Sequence, residues 1–250
     1  AIFNGGNALA TVVAAPLGSY LGSTIGWRGA FLCLVPVAIV AFIWQYFSLP
    51  NMGGNQRPSP RKSVFRLLHQ PAVSVGLMAC GLFFMGQFAL FTYVRPFLET
   101  VTHVSPSGLS LILLTIGIAG FIGTLIVALV LNAAFYLTLM AIPLLMALIA
   151  GVLMLTGDSL WIVALLLGFW GMLATAAPTG WWTWIARTLP EDAEAGGGLM
   201  VAVIQLSIAL GSTAGGVVFD TFGWQSTFAL SSILLLSAGV LTFTTSRHRK

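Results

Sequence analysis

Charge is what this sequence has least of. Ten basic and six acidic side chains stand in 250 residues, 6% of the chain against 58% that is hydrophobic. A water-facing globule needs more polar surface than that, so an ordinary soluble fold is excluded and lipid becomes the solvent. Cysteine is nearly as scarce. Cys33 and Cys80 fall in different apolar runs, read as small packing residues, and offer no disulfide framework. Histidine is limited to His69, His103 and His248, all in or beside loops, with no Cys, Asp or Glu at ligand spacing. No HExxH, paired intramembrane aspartate or Ser-His arrangement is present, so neither a metal site, a cofactor nor hydrolytic chemistry is expected, and the chain does not read as an enzyme. The run Gly196-Gly197-Gly198 is followed by no Lys-Ser or Lys-Thr, so it is no phosphate loop, and it is expected to fray the start of a helix. The chain opens Ala-Ile-Phe-Asn-Gly-Gly, without a basic region ahead of an apolar one, and reads as the middle of a longer sequence.

What the sequence does have is long apolar runs between its few charges. A hydrocarbon core of about 30 Å takes roughly 20 helical residues. Runs of that length without strand alternation predict an all-α membrane protein and exclude a barrel. The punctuation divides them into eight helices, at 4–24, 28–48, 71–95, 106–131, 133–156, 159–186, 195–219 and 223–246. The reversal at Asn132, Ala133 and Ala134 carries neither charge nor proline. Arg57, Arg61, Lys62, Arg66, Arg187, Arg247, Arg249 and Lys250 fall on one side of this arrangement, Arg28 and Arg95 on the other. Basic loops stay on the cytoplasmic side. Both ends of the chain and the 49–70 loop are therefore expected in the cytoplasm, with the spans in the cell (inner) membrane. The net charge of +4 then reflects topology, and no nucleic-acid partner is expected.

Two stretches repeat. GSYLGSTIGWRGAF, from Gly18, and GGVVFDTFGWQSTF, from Gly215, both end in Gly-Trp-x-x-x-Phe, and six predicted helices begin between the two. A six-helix repeat means a bundle built twice, of which the first copy here shows only its last two helices. Ala10, Ala14, Gly18, Gly22 and Gly26 set a small residue at every fourth position, and Ser207, Gly211 and Gly215 do the same later. Such stripes let helices approach closely. Pro16 interrupts the first and predicts a kink.

At these residues the chain resembles a known family. Ala15-Pro16-Leu17-Gly18-Ser19-Tyr20-Leu21-Gly22, with Gly26-Trp27-Arg28 and Phe31, resembles the antiporter signature of drug:proton antiporters in the major facilitator superfamily. Phe65-Arg66-Leu67-Leu68, Gly86-Gln87-Phe88-Ala89, Phe91-Thr92-Tyr93-Val94-Arg95-Pro96, Gly180-Trp181 and Val201-Ala202-Val203-Ile204-Gln205-Leu206 are similar to purine ribonucleoside efflux permeases. The resemblance implies a partial major facilitator fold: residues 1–48 as the last two helices of an N-terminal bundle, 49–70 as the cytoplasmic central loop, and 71–250 as a C-terminal six-helix bundle. It implies proton-driven export of a small organic solute by alternating access, with Pro16, Gly18, Gly22, Gly26, Arg28, Gly211 and Gly215 in the gating motifs. The sequence departs from the family in one place and leaves a feature out in another. The 132–134 turn lacks the usual basic residues, and the coupling carboxylate of related antiporters belongs to four earlier helices. A non-transporting membrane fragment or scaffold is the competing reading.

No ionisable group lies deep in a predicted helix, so neutral polar residues are the candidates for solute contact. Gln87 shares a face with Phe84, Phe88, Phe91 and Arg95, and an amide among rings can hold a nucleobase or a sugar hydroxyl. It can equally bond a neighbouring helix as polar glue. Gln205 carries the same two readings. Thr175, Pro178, Thr179 and Trp182 line one face of the sixth helix. Trp181, Trp182 and Trp184 lie toward its cytoplasmic end, where the headgroup belt is the simpler reading.

Overall fold

The computed structural model describes residues 10, 13, 14, 16–18, 20–48 and 64–247, and every regular element among them is helical. Expectations resting on Arg57, Arg61, Lys62, His248, Arg249, Lys250 and the side chain of Phe65 lie outside the described residues, as does much of the 4–24 run. Helices α1 (Gly26–Leu32) and α2 (Leu34–Ser48) are separated only by Cys33 and make one apolar span. A 3-10 turn over Val64–His69 leads into α3 (Pro71–Phe91), whose proline sits at the first turn, where its missing N–H leaves no bond unmade. Next come α4 (Val94–Thr100) and α5 (Pro106–Thr156), the latter capped by Ser105, whose Oγ accepts from the Gly108 N–H at 3.2 Å. The chain closes with α6 (Leu160–Thr188), α7 (Ala193–Phe222) and α8 (Trp224–Arg247).

Six helical stretches among the described residues are long and apolar enough to cross a membrane. One of them, α5, has 51 residues, about 75 Å if straight, enough for two crossings. It does not run straight. Ala134 leaves the helical path at φ −151°, ψ 69°, and Thr138 Oγ1 donates to the carbonyls of both Ala134 (2.8 Å) and Val130 (3.4 Å). Residues eight apart in a straight helix stand about 12 Å apart along the axis, so Thr138 reaches Val130 only because the chain doubles back. The reversal expected at 132–134 is therefore present, and the described residues hold seven spans.

The arms of α5 take different neighbours. In the first, Gly123 meets the Met172 backbone of α6 and the Gly120 carbonyl accepts Thr175 Oγ1 at 2.7 Å, while Ile116 lies on Gly171. In the second, a Cβ on Gly239 of α8 would meet Leu144, and Ser232 Oγ donates to the Ala147 carbonyl at 3.0 Å. Helix α3 lies parallel to α7 through Gly81 against Ser207, Met85 against Gly211 and Ala89 against Gly215, so the second small-residue stripe is a packing seam. A methyl on Gly211 or Gly215 would enter an α3 carbonyl, which is why glycine stands there. Helix α8 crosses α3 the other way, with Ser231 Oγ donating to the Gly86 carbonyl at 2.6 Å.

The repeat is visible as geometry. Gly26 and Gly223 both have positive φ, 76° and 85°, a conformation that favours glycine, and each turns the chain into the next helix. Behind them Trp27 and Phe31, and Trp224 and Phe228, meet edge to face at the same interplanar angle of 82°. The second copy is walled in by Phe97, whose ring centroid is 4.9 Å from Trp224 and 4.8 Å from Phe228.

Three expectations are corrected. The 71–95 helix is broken at Thr92 and Tyr93, so Arg95 does not continue the face of Gln87 and instead pairs with Glu99 at 2.9 Å on an exposed surface. The glycines at 196–198 lie inside α7, which starts at Ala193. Gly196 is buried there, with Leu189 and Ile185 at the place of a Cβ, so close packing holds the turn that composition alone would fray. Trp181 and Trp184 are not a headgroup belt: both are buried, and a Cβ on Gly76 of α3 would overlap the Trp184 ring.

Candidate functional site

The polar side chains buried among the described residues are Gln87, Thr138, Ser207, Thr227, Ser231, Thr242 and Thr245, none of them charged. Most hydroxyls in the spans are already engaged. Thr115, Thr124, Thr156, Thr183, Thr188 and Thr242 each donate to a carbonyl four residues back in their own helix, and Thr175 adds the bond to Gly120 across to α5. Thr227 and Ser231 are engaged across helices, on the Gly215 and Gly86 carbonyls. Such bonds satisfy the hydroxyl where no water reaches it and leave it little to offer a solute.

Gln87 is different. It is 9% exposed, sits on α3 beside the Gly86 carbonyl that Ser231 holds, and its Oε1 is buried without a hydrogen-bond partner. In an apolar interior an unpaired acceptor is costly, which sets Gln87 apart from the engaged hydroxyls around it. Phe84 is buried beside Phe83, edge to face at 5.2 Å, so its ring packs the core. Phe88 and Phe91 are half-buried and also meet edge to face, at 6.3 Å.

The remaining candidates do not gather around Gln87. The α3 to α7 seam puts Ser207 beside Gly81, so Gln205 lies roughly 12 Å along the axis from Gln87, and two residues from Ser207 means about 200° around the helix. Gln205 is exposed on the far face of α7. Thr179 is half-buried on α6, where its carbonyl accepts Thr183 Oγ1 at 2.7 Å, and Trp182 is 42% exposed. Of the motif residues, Pro16 is half-buried, and a Cβ on Gly18 or Gly22 would meet nothing within 4 Å among the described residues. The Arg28 guanidinium lies over the Trp27 ring at 5.0 Å. Gly211 and Gly215 are buried in the seam with α3.

Two features went unread in the sequence. Trp170 is fully buried on α6 with its Nε1 unpartnered; a tryptophan in an apolar run reads as packing, and only its helical register with Trp184 marks it. Arg187, in the last turn of α6, lies over the Phe135 ring at 4.5 Å, just past the Ala134 break. The turn that lacks its own basic residue thus receives one from a neighbouring helix.

Comparison with known proteins adds the following. Residues 1–212 match the family described as Major Facilitator Superfamily. The chain is 62% identical, over its whole length, to the transcription regulatory protein OpdE of Pseudomonas aeruginosa. It is 42% identical over 93% of its length to the purine ribonucleoside efflux pumps NepI of Salmonella enteritidis and Salmonella typhimurium. It spans 63% of the length of the first of these relatives and 58% of the others.

Proposed function

The chain belongs to the major facilitator superfamily, a multi-pass membrane transporter family with small-molecule substrates, and on that premise we propose that it serves export of a purine nucleoside by proton antiport and alternating access. The observation that carries this reading is the 42% identity to purine ribonucleoside efflux pumps along 93% of the chain. Residues 1–48 then belong to one bundle and 71–250 to a second, joined by the 49–70 loop, with solute bound between them in the cell membrane and both ends of this chain in the cytoplasm. Gln87 is the central polar contact, with Phe88 and Phe91 beside it, and Phe84 shapes the wall from behind. Thr179 and Trp182 meet the solute from the open face of α6 when the bundles part, while Gln205, on the face of α7 turned away from α3, stands outside the contacts centred on Gln87. The glycines of the antiporter motif let the bundles move, whereas Gly211 and Gly215 hold α7 against α3 inside the second bundle. No buried polar side chain among the described residues is charged, so the antiported proton is carried elsewhere in the transporter. The spans offer no basic groove for nucleic acid, and no enzymatic step is required.

The test is uptake of labelled inosine into inverted membrane vesicles containing the product of the native locus, with a proton gradient imposed. Gradient-dependent accumulation that Gln87→Ala lowers at least fivefold, at unchanged membrane abundance, is the expected result. Accumulation indifferent to the gradient removes proton antiport, and no accumulation of any purine nucleoside removes the substrate class.

The name of the 62% identical relative favours a second reading, in which the protein influences transcription. With spans that cannot read a DNA groove, such an effect would arise through the intracellular level of the exported solute. A transcriptional change that persists in a transport-dead variant would separate regulation from transport.

A further inference from the structure

Two buried side-chain polar atoms among the described residues have no hydrogen-bond partner, Gln87 Oε1 and Trp170 Nε1. One accepts and the other donates. They stand on different helices, α3 and α6, which approach each other at Gly76 and Trp184, and helical register puts both residues on the faces that meet there. The overlap that a Cβ on Gly76 would make with the Trp184 ring fixes which faces of α3 and α6 meet. Going from Gly76 to Gln87 takes about three turns with some 20° left over, so Gln87 lies on the face of α3 turned to α6. Going from Trp184 back to Trp170 takes about four turns less 40°, so Trp170 lies on the face of α6 turned to α3. Because α7 runs parallel to α3 and is joined to α6 by the short turn after Thr188, α3 and α6 are antiparallel. The rises along them, about 16 Å and about 21 Å, then bring the two residues to depths within roughly one helical turn. Between Trp170 and Trp184, Pro178 has no N–H for the Ala174 carbonyl, which loosens α6 at this level.

We propose that Trp170 is the second half of the polar grip centred on Gln87: the indole N–H donates to an acceptor on the solute while Gln87 Oε1 takes a neighbouring N–H. The solute this pair fits is planar and presents a donor and an acceptor side by side on one edge, as the N1–H and O6 of a 6-oxopurine do. This rests on the nucleoside-export reading and narrows it to solutes with an intact amide edge. A site built to hydrogen-bond an edge discriminates strongly against analogues that lack it, because its own groups are then left unpaired.

The experiment measures vesicle uptake of inosine and of 1-methylinosine, which keeps O6 and loses the N1 proton, by the product of the native locus and three variants. In the native protein inosine is expected to be carried about tenfold better than 1-methylinosine. Trp170→Phe and Gln87→Leu each lower inosine uptake roughly tenfold at equal membrane abundance, and the double variant is no worse than the poorer single one, because both hold one edge. In Gln87→Leu the preference for inosine disappears. Where Trp170→Phe does not accumulate, 3-benzothienylalanine at position 170 keeps the bicyclic shape, deletes the N–H and is expected to give the same loss. Native inosine uptake that both single variants retain, or a preference that survives Gln87→Leu, overturns the inference and leaves a bridging water as the occupant. Absence of purine nucleoside uptake by the native protein overturns the export reading, and this inference with it.

Discussion

Glycine in this chain is a residue of contact more often than of turning. At Gly211 the place of a Cβ is taken by the backbone of Met85, an atom set that cannot rotate aside, whereas at Gly151 nothing lies within 4 Å. Gly211→Ala must therefore push α7 off α3, at a cost of about 2 kcal/mol, in the range for overpacking. Gly151→Ala has room for its methyl and costs under about 0.5 kcal/mol. Thermal unfolding of the two purified variants in one detergent checks the contrast, and equal midpoints would mean that the seam is not load-sensitive. At this scale the sequence was only partly legible. Every-fourth small residues pointed to Ser207, Gly211 and Gly215 as a seam because that spacing is a property of helices. Trp184 was misread because interfacial and interior tryptophans share a composition and a position near the end of a span. The signal that separates them is a glycine on another helix, Gly76, and nothing in the sequence pairs the two.

Between elements, the bonds that hold helices together run from hydroxyls to carbonyls. Ser231 Oγ to the Gly86 carbonyl ties α8 to α3 at a fully buried position, while Ser237 bonds only its own helix, on an exposed face. Ser231→Ala is expected to lower stability by about 1 kcal/mol, the usual scale for interhelical hydrogen bonds in membranes, and Ser237→Ala to change it little. Detergent unfolding curves for the pair decide this, and a neutral Ser231→Ala would assign the α3 to α8 contact to packing alone. Element boundaries were legible wherever charge or proline punctuated an apolar run, as at Pro71, Pro106 and Asp158. The Ala134 break was legible only as a run too long for one crossing, since its causes are a local backbone angle and the reach of Thr138 to two carbonyls. The end of α3 was not legible, because Thr92 and Tyr93 are ordinary helix residues. What draws them out is α7: Ser212 Oγ shares a hydrogen bond with Thr92 Oγ1 at 3.0 Å, and the Ser212 carbonyl accepts from Tyr93 Oη at 2.9 Å.

For the whole molecule, orientation rests on where arginine and lysine fall. Single cysteines placed in a background lacking Cys33 and Cys80 give a direct reading. A cysteine at Asp158, exposed after α5, is expected to react with an impermeant maleimide in intact cells, and one at Glu191, exposed between α6 and α7, only after lysis. The opposite pattern would invert every span. The candidate site was half legible at this scale. Gln87 was marked by being an amide in an apolar run, but the unpartnered Trp170 Nε1 proposed to act with it became visible only once the two helical faces were placed.

The hydroxyls that bond their own backbone have a final consequence. A membrane interior in which threonine after threonine is already spoken for has a small vocabulary for addressing a passenger. Among the described residues two buried words are left, Gln87 Oε1 and Trp170 Nε1, so on the proposed reading it addresses a phrase and not a sentence. If that reading holds, solutes that share that one edge are expected to be interchangeable cargo, whatever the rest of each molecule is.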